Sequence, residues 1–433
     1  MRFRKPRAGL LRHHDFRHLW AADAISQVGN RINVLAAPLL AITVLDASTF
    51  EVSLLRTLET LAWLVFGLPV GAWCDRLRAR RVMMVSDLGR AVAFGTIPLA
   101  ALFGLLTVAQ LCIVAAIAGI MTVFFDVAHQ TFLPRLVEHE QLLEGNAKLQ
   151  ANMSVAAVIS PSLSGFIVQW FTAPIAVLIN ALSFVWSAAW LKGVRTREEL
   201  PPRVGKPRLR QEIREGLRLV VRHPLLRPIG LTGALQSLFQ SIHLAISVVF
   251  MVRVLHLDPA GIGLLSSTTL LGAVLGAFAA GGLARRLGQA PLMRIAALTY
   301  GGAFLLYPLT QSGWWLASWA VAGFLTSAGV VVLNVVTVSF QQSACPRPLL
   351  GRMNATMKFL IWGTIPIGSI LGGALAAVAG LRGTLWIAAA GVLVSSVPLL
   401  ASPLRRLRDL PGHEPAAPST SDAATATPDR TSN

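Results

Sequence analysis

Apolar residues gather into twelve long stretches along this chain, at about 16–45, 51–74, 82–104, 107–132, 150–172, 174–193, 228–254, 260–284, 291–310, 314–340, 354–379 and 383–402. Short polar breaks separate them. Crossing the hydrocarbon of a bilayer takes about 20 apolar residues, so each stretch is long enough. Lipid offers no partners to the backbone, which must satisfy its polar groups within helices. The pattern therefore predicts an all-α polytopic membrane protein with twelve transmembrane helices. One break is long: residues 195–227 carry Pro201, Pro202 and Pro207, and Leu209–Val221 (LRQEIREGLRLVV) is expected to form an amphipathic surface helix. The expected organisation is a six-helix bundle over 1–194, a central loop over 195–227, a second six-helix bundle over 228–403, and a disordered tail over 404–433 rich in Pro, Ala, Ser and Thr.

Composition agrees, with 54% hydrophobic and 13% charged residues and a mean hydropathy of +0.62. The net charge of +18 would point to nucleic acid in a soluble chain. Its placement says otherwise. Arginines and lysines precede the first stretch and crowd every even-numbered connection, from Arg78, Arg80 and Arg81 to Arg405 and Arg406. The odd-numbered connections hold only Arg253 and Arg382. By the positive-inside rule both termini are expected in the cytoplasm, and no nucleic-acid partner is expected. The first stretch is too long, and too poorly followed by small residues, for a cleaved signal peptide. Cys74, Cys112 and Cys345 are scattered, with neither metal spacing nor a disulfide framework. No cofactor or metal is expected. The absence of a Ser/His/Asp spacing or a phosphate loop argues against an enzyme.

The two halves read as copies. Gly71–Leu77 (GAWCDRL) aligns with Gly281–Leu287 (GGLARRL), and Pro134-Arg135, Leu142-Leu143 and Asn146-Ala147 return in order as Pro346-Arg347, Leu349-Leu350 and Asn354-Ala355. Two six-span repeats are the architecture of major facilitator transporters, whose substrate site lies between the halves. The loop Gly71–Arg81 (GAWCDRLRARR) resembles the conserved loop motif of that superfamily, although Arg78 and Ala79 depart from it. On that resemblance Gly71 lets helices approach closely. Asp75 and Arg76 sit at the cytoplasmic mouth, and Arg80 or Arg81 holds a partner carboxylate or lipid phosphate as a conformational latch.

More specific are LWAADAISQVGNRI near the start, GLPVGAWCDRL, FFDVAHQTFLPRLV at Phe124–Val137 followed by LLEGNAKLQ, and Thr172–Pro174 before INALSF. Together they resemble bacterial drug and siderophore exporters, the major facilitator branch that includes macrolide efflux proteins and the enterobactin exporter. The resemblance implies a monomer in the bacterial cytoplasmic membrane. It implies export of a small amphipathic molecule driven by proton flow. An uncoupled facilitator or importer of the same fold, or a non-transporting sensor or scaffold, are the alternatives.

Ionisable side chains at membrane depth are costly and so are functional candidates. Arg31 and Glu59 both lie about 21–22 Å from the cytoplasmic boundary at 1.5 Å per residue, and an Arg31–Glu59 pair could hold a protonatable carboxylate or a fixed structural bridge. Asp23, Gln27 and Arg31 share a helix face. Asp126 with Arg90 is the second candidate pair for proton coupling. His129 is either a relay or an interfacial side chain. Gln236, Gln240 and His243 share one face of the seventh span and are expected to meet either substrate or a neighbouring helix, as is Asn334. Trp314, Trp315 and Trp319 read as an interfacial belt, while Trp63 and Phe124 are the aromatic candidates for the cavity.

Overall fold

The computed structural model describes residues 10–74, 77–138, 141–196, 198, 217, 218, 220–344 and 350–406. Asp75 and Arg76, most of the expected loop helix and nearly all of the expected tail lie outside the described residues. The described residues are helical and contain no strands. The first half comprises α1 (His14–Thr43), α2 (Thr49–Cys74), α3 (Ala79–Leu102), α4 (Val108–Leu136), α5 (Leu142–Trp170) and α6 (Ala173–Lys192). The second comprises α7 (Leu226–Arg253), α8 (Pro259–Leu287), α9 (Gln289–Phe304), α10 (Leu316–Ala344), α11 (Leu350–Trp362), α12 (Thr364–Val394) and the short α13 (Val397–Leu400).

Residue chemistry explains where the helices start and turn. Ser48 and Glu51 form a reciprocal capping box ahead of α2, with Glu51 N donating to Ser48 Oγ at 3.2 Å and Ser48 N donating to Glu51 Oε2 at 2.7 Å. Asp258 caps α8 by accepting from Gly261 N at 3.2 Å, and Pro259 occupies the first helical position. Gly363 keeps helical angles, so α11 and residues 364–379 make one pass. Gly380, at φ 70° and ψ 169°, reverses the chain in a region open only to glycine, and residues 381–394 with α13 make the next.

Eight helical stretches among the described residues are long and apolar enough to cross a membrane, and the one at Thr356–Leu400 contains two passes. With α1, α2 and the 16-residue α9 they make twelve. An even number of passes returns both termini to the same end of the bundle, here called the terminus end; the other is the far end.

Packing repeats between the halves. In the first, α1 lies against α5 and α6, α2 against α4, and α3 between α4 and α6; in the second, α7 lies against the eleventh and twelfth passes, α8 against α10, and α9 between α10 and the twelfth pass. The halves meet along two seams related by the same repeat, α5 with α8 and the eleventh pass with α2. Both seams tighten toward the far end. A Cβ on Gly263 would lie 2.5 Å from the Pro161 carbonyl oxygen, and one on Gly373 would lie 3.0 Å from Phe50 Cα. Small residues therefore let backbone touch backbone. Hydrogen bonds across the halves lie on the same side: Ser162 Oγ with Ser267 Oγ at 2.7 Å, Ala260 N to Gln169 Oε1 at 2.9 Å, and Arg253 to Asp46 Oδ1 at 3.1 Å and to the Ala47 carbonyl at 2.8 Å. The far end is closed.

Two buried carboxylates organise the terminus end of the first half. Asp15, just ahead of the first membrane span, accepts from the backbone N–H of Arg195 at 3.0 Å and of Thr196 at 2.9 Å, and from the Thr196 hydroxyl. Burial by itself would raise its pKa, but the bonds from Thr196, His14 and the Arg195 backbone outweigh it and hold the carboxyl well below the usual range. Glu198 caps α3 from outside that helix, accepting from Ala79 N at 2.6 Å and Arg80 N at 2.8 Å, with Arg135 at 3.5 Å. The chain leaving α6 is thus clasped to the ends of α1, α3 and α4.

A leucine at Gly263 has no room and should wedge α5 from α8, since overpacking costs about 1–3 kcal/mol. With Cys74, Cys112 and Cys345 changed to serine, the oxidised yield of a Ser162→Cys/Ser267→Cys pair is expected to fall at least about fivefold when Gly263→Leu is added; an unchanged yield would contradict the seam. A second expectation concerns Asp15. Its folded pKa lies below the unfolded value of about 3.9, so the clasp contributes fully above that pH and is lost as pH falls through the carboxylate range. Amide exchange at Arg195 and Thr196 should lose protection by roughly tenfold to a hundredfold in Asp15→Asn at neutral pH, and in the parent below about pH 4. Equal protection in parent and variant would refute it.

Candidate functional site

Between the halves, on the inner side of the far-end seam, lies a cavity of about 380 Å³. Residues 31–38 of α1, Val52 and Arg56 of α2 and Pro161 of α5 wall it on one side. His243 through Met251 of α7, residues 266–270 of α8, Tyr307 and Trp319 wall it on the other. The two sides differ in chemistry. The first presents the guanidinium groups of Arg31 and Arg56. The second presents a packed aromatic wall, with the His243 ring 4.2 Å from Tyr307, 5.3 Å from Phe304 and 5.6 Å from Trp319 between centroids. Phe250 stacks on Trp319 from behind at 5.8 Å.

A second polar site is enclosed within the first half. Arg90 is almost completely buried, donates to Asp87 Oδ1 at 2.5 Å one turn earlier on α3, and lies between the rings of Phe125 and Phe184 at 4.5 and 4.2 Å. Those rings add cation–π attraction to the ion pair. Asp23 accepts from Asn152 at 2.9 Å and from Gln27 at 3.2 Å, and His129 Nε2 approaches it to 3.6 Å. Asp126 lies within electrostatic reach of Arg90, His129 and Asp23. It makes no hydrogen bond among the described residues. Three carboxylates therefore share one arginine and one histidine.

The sequence-predicted pairings need correction. The cation acting on Glu59 is Arg56, one turn earlier on the same helix, and no Arg31–Glu59 ion pair forms. Arg31 instead faces the cavity, exposed within it. Arg90 bonds Asp87 and not Asp126 because the i, i+3 spacing on α3 brings that partner closest. His129 faces the buried cluster, with its ring stacked on Phe125 at 5.8 Å.

Of the seventh-span candidates, His243 reaches the cavity, while Gln236 is buried with its Nε2 unpaired and Gln240 is half-buried away from the cavity lining. Asn334 is exposed and does not line the cavity. Trp63 meets Trp362 of the other half edge-on at 5.2 Å, and Phe124 stacks on Trp73 at 6.1 Å beside a groove between α3 and α4. Both lie apart from the cavity lining. Trp319 leaves the expected belt: Trp314 and Trp315 are exposed, but Trp319, a turn into α10, is 4% exposed and packs inward.

In the loop motif, Arg80 donates to the Lys192 carbonyl at 2.8 Å and its backbone N–H goes to Glu198. Its partners are the end of α6 and the chain just after it, so these contacts do not bridge the halves. Arg81 lines the α3–α4 groove, and Gly71 lies in the last turn of α2. Arg56 was missed although the rule that singles out Glu59 applies equally to it. Glu198 and Asn152 carry no sequence signal, because their partners are distant in the chain.

Known proteins match most of the chain. The sequence model of the transmembrane secretion effector family matches residues 7–422. The multidrug efflux pump Tap of Mycolicibacterium fortuitum is 27% identical over 396 residues, covering 88% of this chain and 93% of its own. Macrolide efflux protein A of Streptococcus pyogenes is 24% identical, covering 91% and 97%. The enterobactin exporter EntS of Citrobacter koseri is 26% identical, covering 94% and 96%. A bacterial homologue of the iron transporter ferroportin, crystallised in its inward-facing state, shares the fold at a TM-score of 0.72 with 18% identity, covering 91% of this chain and 99% of that one. Twelve passes in two repeated halves, a cavity between them and a family match across nearly the full length lead to one conclusion: the chain belongs to the transmembrane secretion effector family of the major facilitator superfamily, and is a multi-pass membrane transporter of small molecules rather than an enzyme.

Proposed function

We propose that this transporter exports a small amphipathic compound across the bacterial cytoplasmic membrane in exchange for protons, by alternating access. The observation that carries the export reading is similarity over about nine-tenths of the chain to proteins named for multidrug efflux, macrolide efflux and enterobactin export. The arginine-rich even connections favour a cytoplasmic terminus end. In that orientation the closed far end is the outer end, and the cavity loads from the cytoplasm. Rocking of the halves about the seams then exposes the cavity to the outside.

Within the buried cluster, Asp87 is engaged by Arg90 and Asp23 by Asn152 and Gln27, which leaves Asp126 as the carboxylate without a hydrogen bond among the described residues. The excess of carboxylates over cations is relieved when the cluster takes up a proton. Asp126 is therefore the proposed proton carrier, with His129 beside it as relay. Glu59 serves instead as the charge partner of Arg56. The cluster and the cavity share helices: Asp23 and Arg31 both lie on α1, and Asn152 and Pro161 both lie on α5. A change in cluster charge thus acts on elements that wall the cavity.

The test is transport of lipophilic dyes and antibiotics into proteoliposomes under an imposed pH gradient. Gradient-driven transport should fall at least about tenfold in Asp126→Asn, equivalent to 1.4 kcal/mol in the barrier, whereas Glu59→Gln should leave the dependence on the pH gradient in place. Transport indifferent to the gradient and to Asp126→Asn would identify an uncoupled facilitator.

A further inference from the structure

The central cavity is lined by two arginines, Arg31 and Arg56, and by no acid. Arg31 makes no hydrogen bond or ion pair among the described residues, and Arg56 has a buried Nε without a partner. The acid that acts on Arg56 is Glu59, which is not part of the lining; the lining contains no Asp or Glu. Withdrawing a guanidinium such as that of Arg56 from water is costly, and an apolar residue there would be the cheaper solution for a purely structural wall, while Arg31 stays exposed within the cavity. The remaining lining is mostly apolar or aromatic, with Val52, Val248, Met251 and Leu270 beside His243, Tyr307 and Trp319, and its other polar side chains are the neutral hydroxyls of Ser247, Ser266 and Thr269.

Resting on the transporter reading, we infer that the cargo is an amphipathic organic anion, its acidic head held between Arg31 and Arg56 and its apolar or aromatic body laid on the His243–Tyr307–Trp319 wall. A guanidinium fork matches the two oxygens of a carboxylate or sulfonate and bonds both at once. Two such forks on one wall orient the head toward the first half, and the opposite side, with the tilted rings of His243, Tyr307 and Trp319 packed into it, meets the apolar body. The same two charges repel a cationic amphiphile of equal size, so the cavity selects by exclusion as well as by attraction. Its volume of about 380 Å³ lies at the small end of the range for drug-sized ligands, which favours a compact molecule.

A matched naphthalene series separates the possibilities: 2-naphthylacetic acid, its primary amide, and the corresponding amine. Binding to the purified transporter in lipid nanodiscs is followed by equilibrium dialysis. The acid should bind at least about tenfold more tightly than the amide, and the amine more weakly than either. Arg31→Gln/Arg56→Gln should abolish the preference for the acid over the amide, while Arg31→Lys/Arg56→Lys, which keeps both charges, should retain part of it. Equal binding of acid and amine, an acid preference that survives the glutamine pair, or no binding of any of the three would overturn the inference. Flux of the same compounds in proteoliposomes separates this from the transport reading. Transport of amide or amine but not acid would sink the anion site alone; tight binding of the acid with no flux of any compound would sink transport and leave the site standing.

Discussion

Where α5 crosses α8, Gly263 lies so close to the Pro161 carbonyl that not even a methyl group fits between the helices. Lipid tails are as apolar as leucine, so helices in a membrane gain little by hiding hydrophobic surface from one another. They associate by close packing and by hydrogen bonds, and this seam supplies both through Gly263, Gly165, the Ser162–Ser267 bond and the Gln169–Ala260 bond. Its repeat-related counterpart joins the eleventh pass to α2 at Gly373. The position of these seams determines where the halves can hinge, which end is closed and where the space between them opens. Everything assigned to the cavity follows from that geometry.

Charge is divided unequally across the interface. The first half holds Asp23, Arg31, Arg56, Glu59, Asp87, Arg90 and Asp126 within its helices, whereas the described helices of the second hold cations such as Arg294 and Lys358 and, at the cavity, His243 in an aromatic setting. This asymmetry is physically economical under the proposed exchange of protons for cargo: one half would carry the groups that bind and release ions, and the other a surface whose attraction for an apolar body changes little with protonation. Because α1 and α5 pass through both the charge cluster and the cavity wall, no distant relay is needed to connect them. Connection through shared rigid helices is a stronger basis for coupling than spatial proximity.

Much of this was legible in the residues. Hydropathy is a local property, so twelve passes, their boundaries near Gly380 and Asp258, and the Ser48–Glu51 cap can be read from neighbours in the chain. The repeat in Gly71–Leu77 and Gly281–Leu287 also reported the matching halves. Partner choice was less legible. Depth along a helix placed Arg31 beside Glu59, but depth says nothing of rotation about the helix axis, and Arg56 was already one turn from Glu59. The same error displaced Arg90 from Asp87 to Asp126. Trp319 sat in a run of tryptophans that reads as an interface, yet one more turn of α10 carried it inward. Glu198 capping α3, and Asp15 holding Arg195 and Thr196, depend on contacts between residues more than a hundred positions apart, which no local pattern encodes.

Alternating exposure of one cavity is the claim on which the mechanism stands. It is tested most directly by electron–electron spin distance measurements on two labelled pairs, Phe103→Cys with Trp314→Cys at the far end and Leu77→Cys with Leu287→Cys at the terminus end, all exposed positions on opposite halves. On lowering the pH or adding a transported compound, a rocking exchanger must lengthen the far-end distance while shortening the terminus-end distance in the same samples. If both distances stay fixed, or both move in the same direction, the halves do not rock about these seams and the mechanism is wrong.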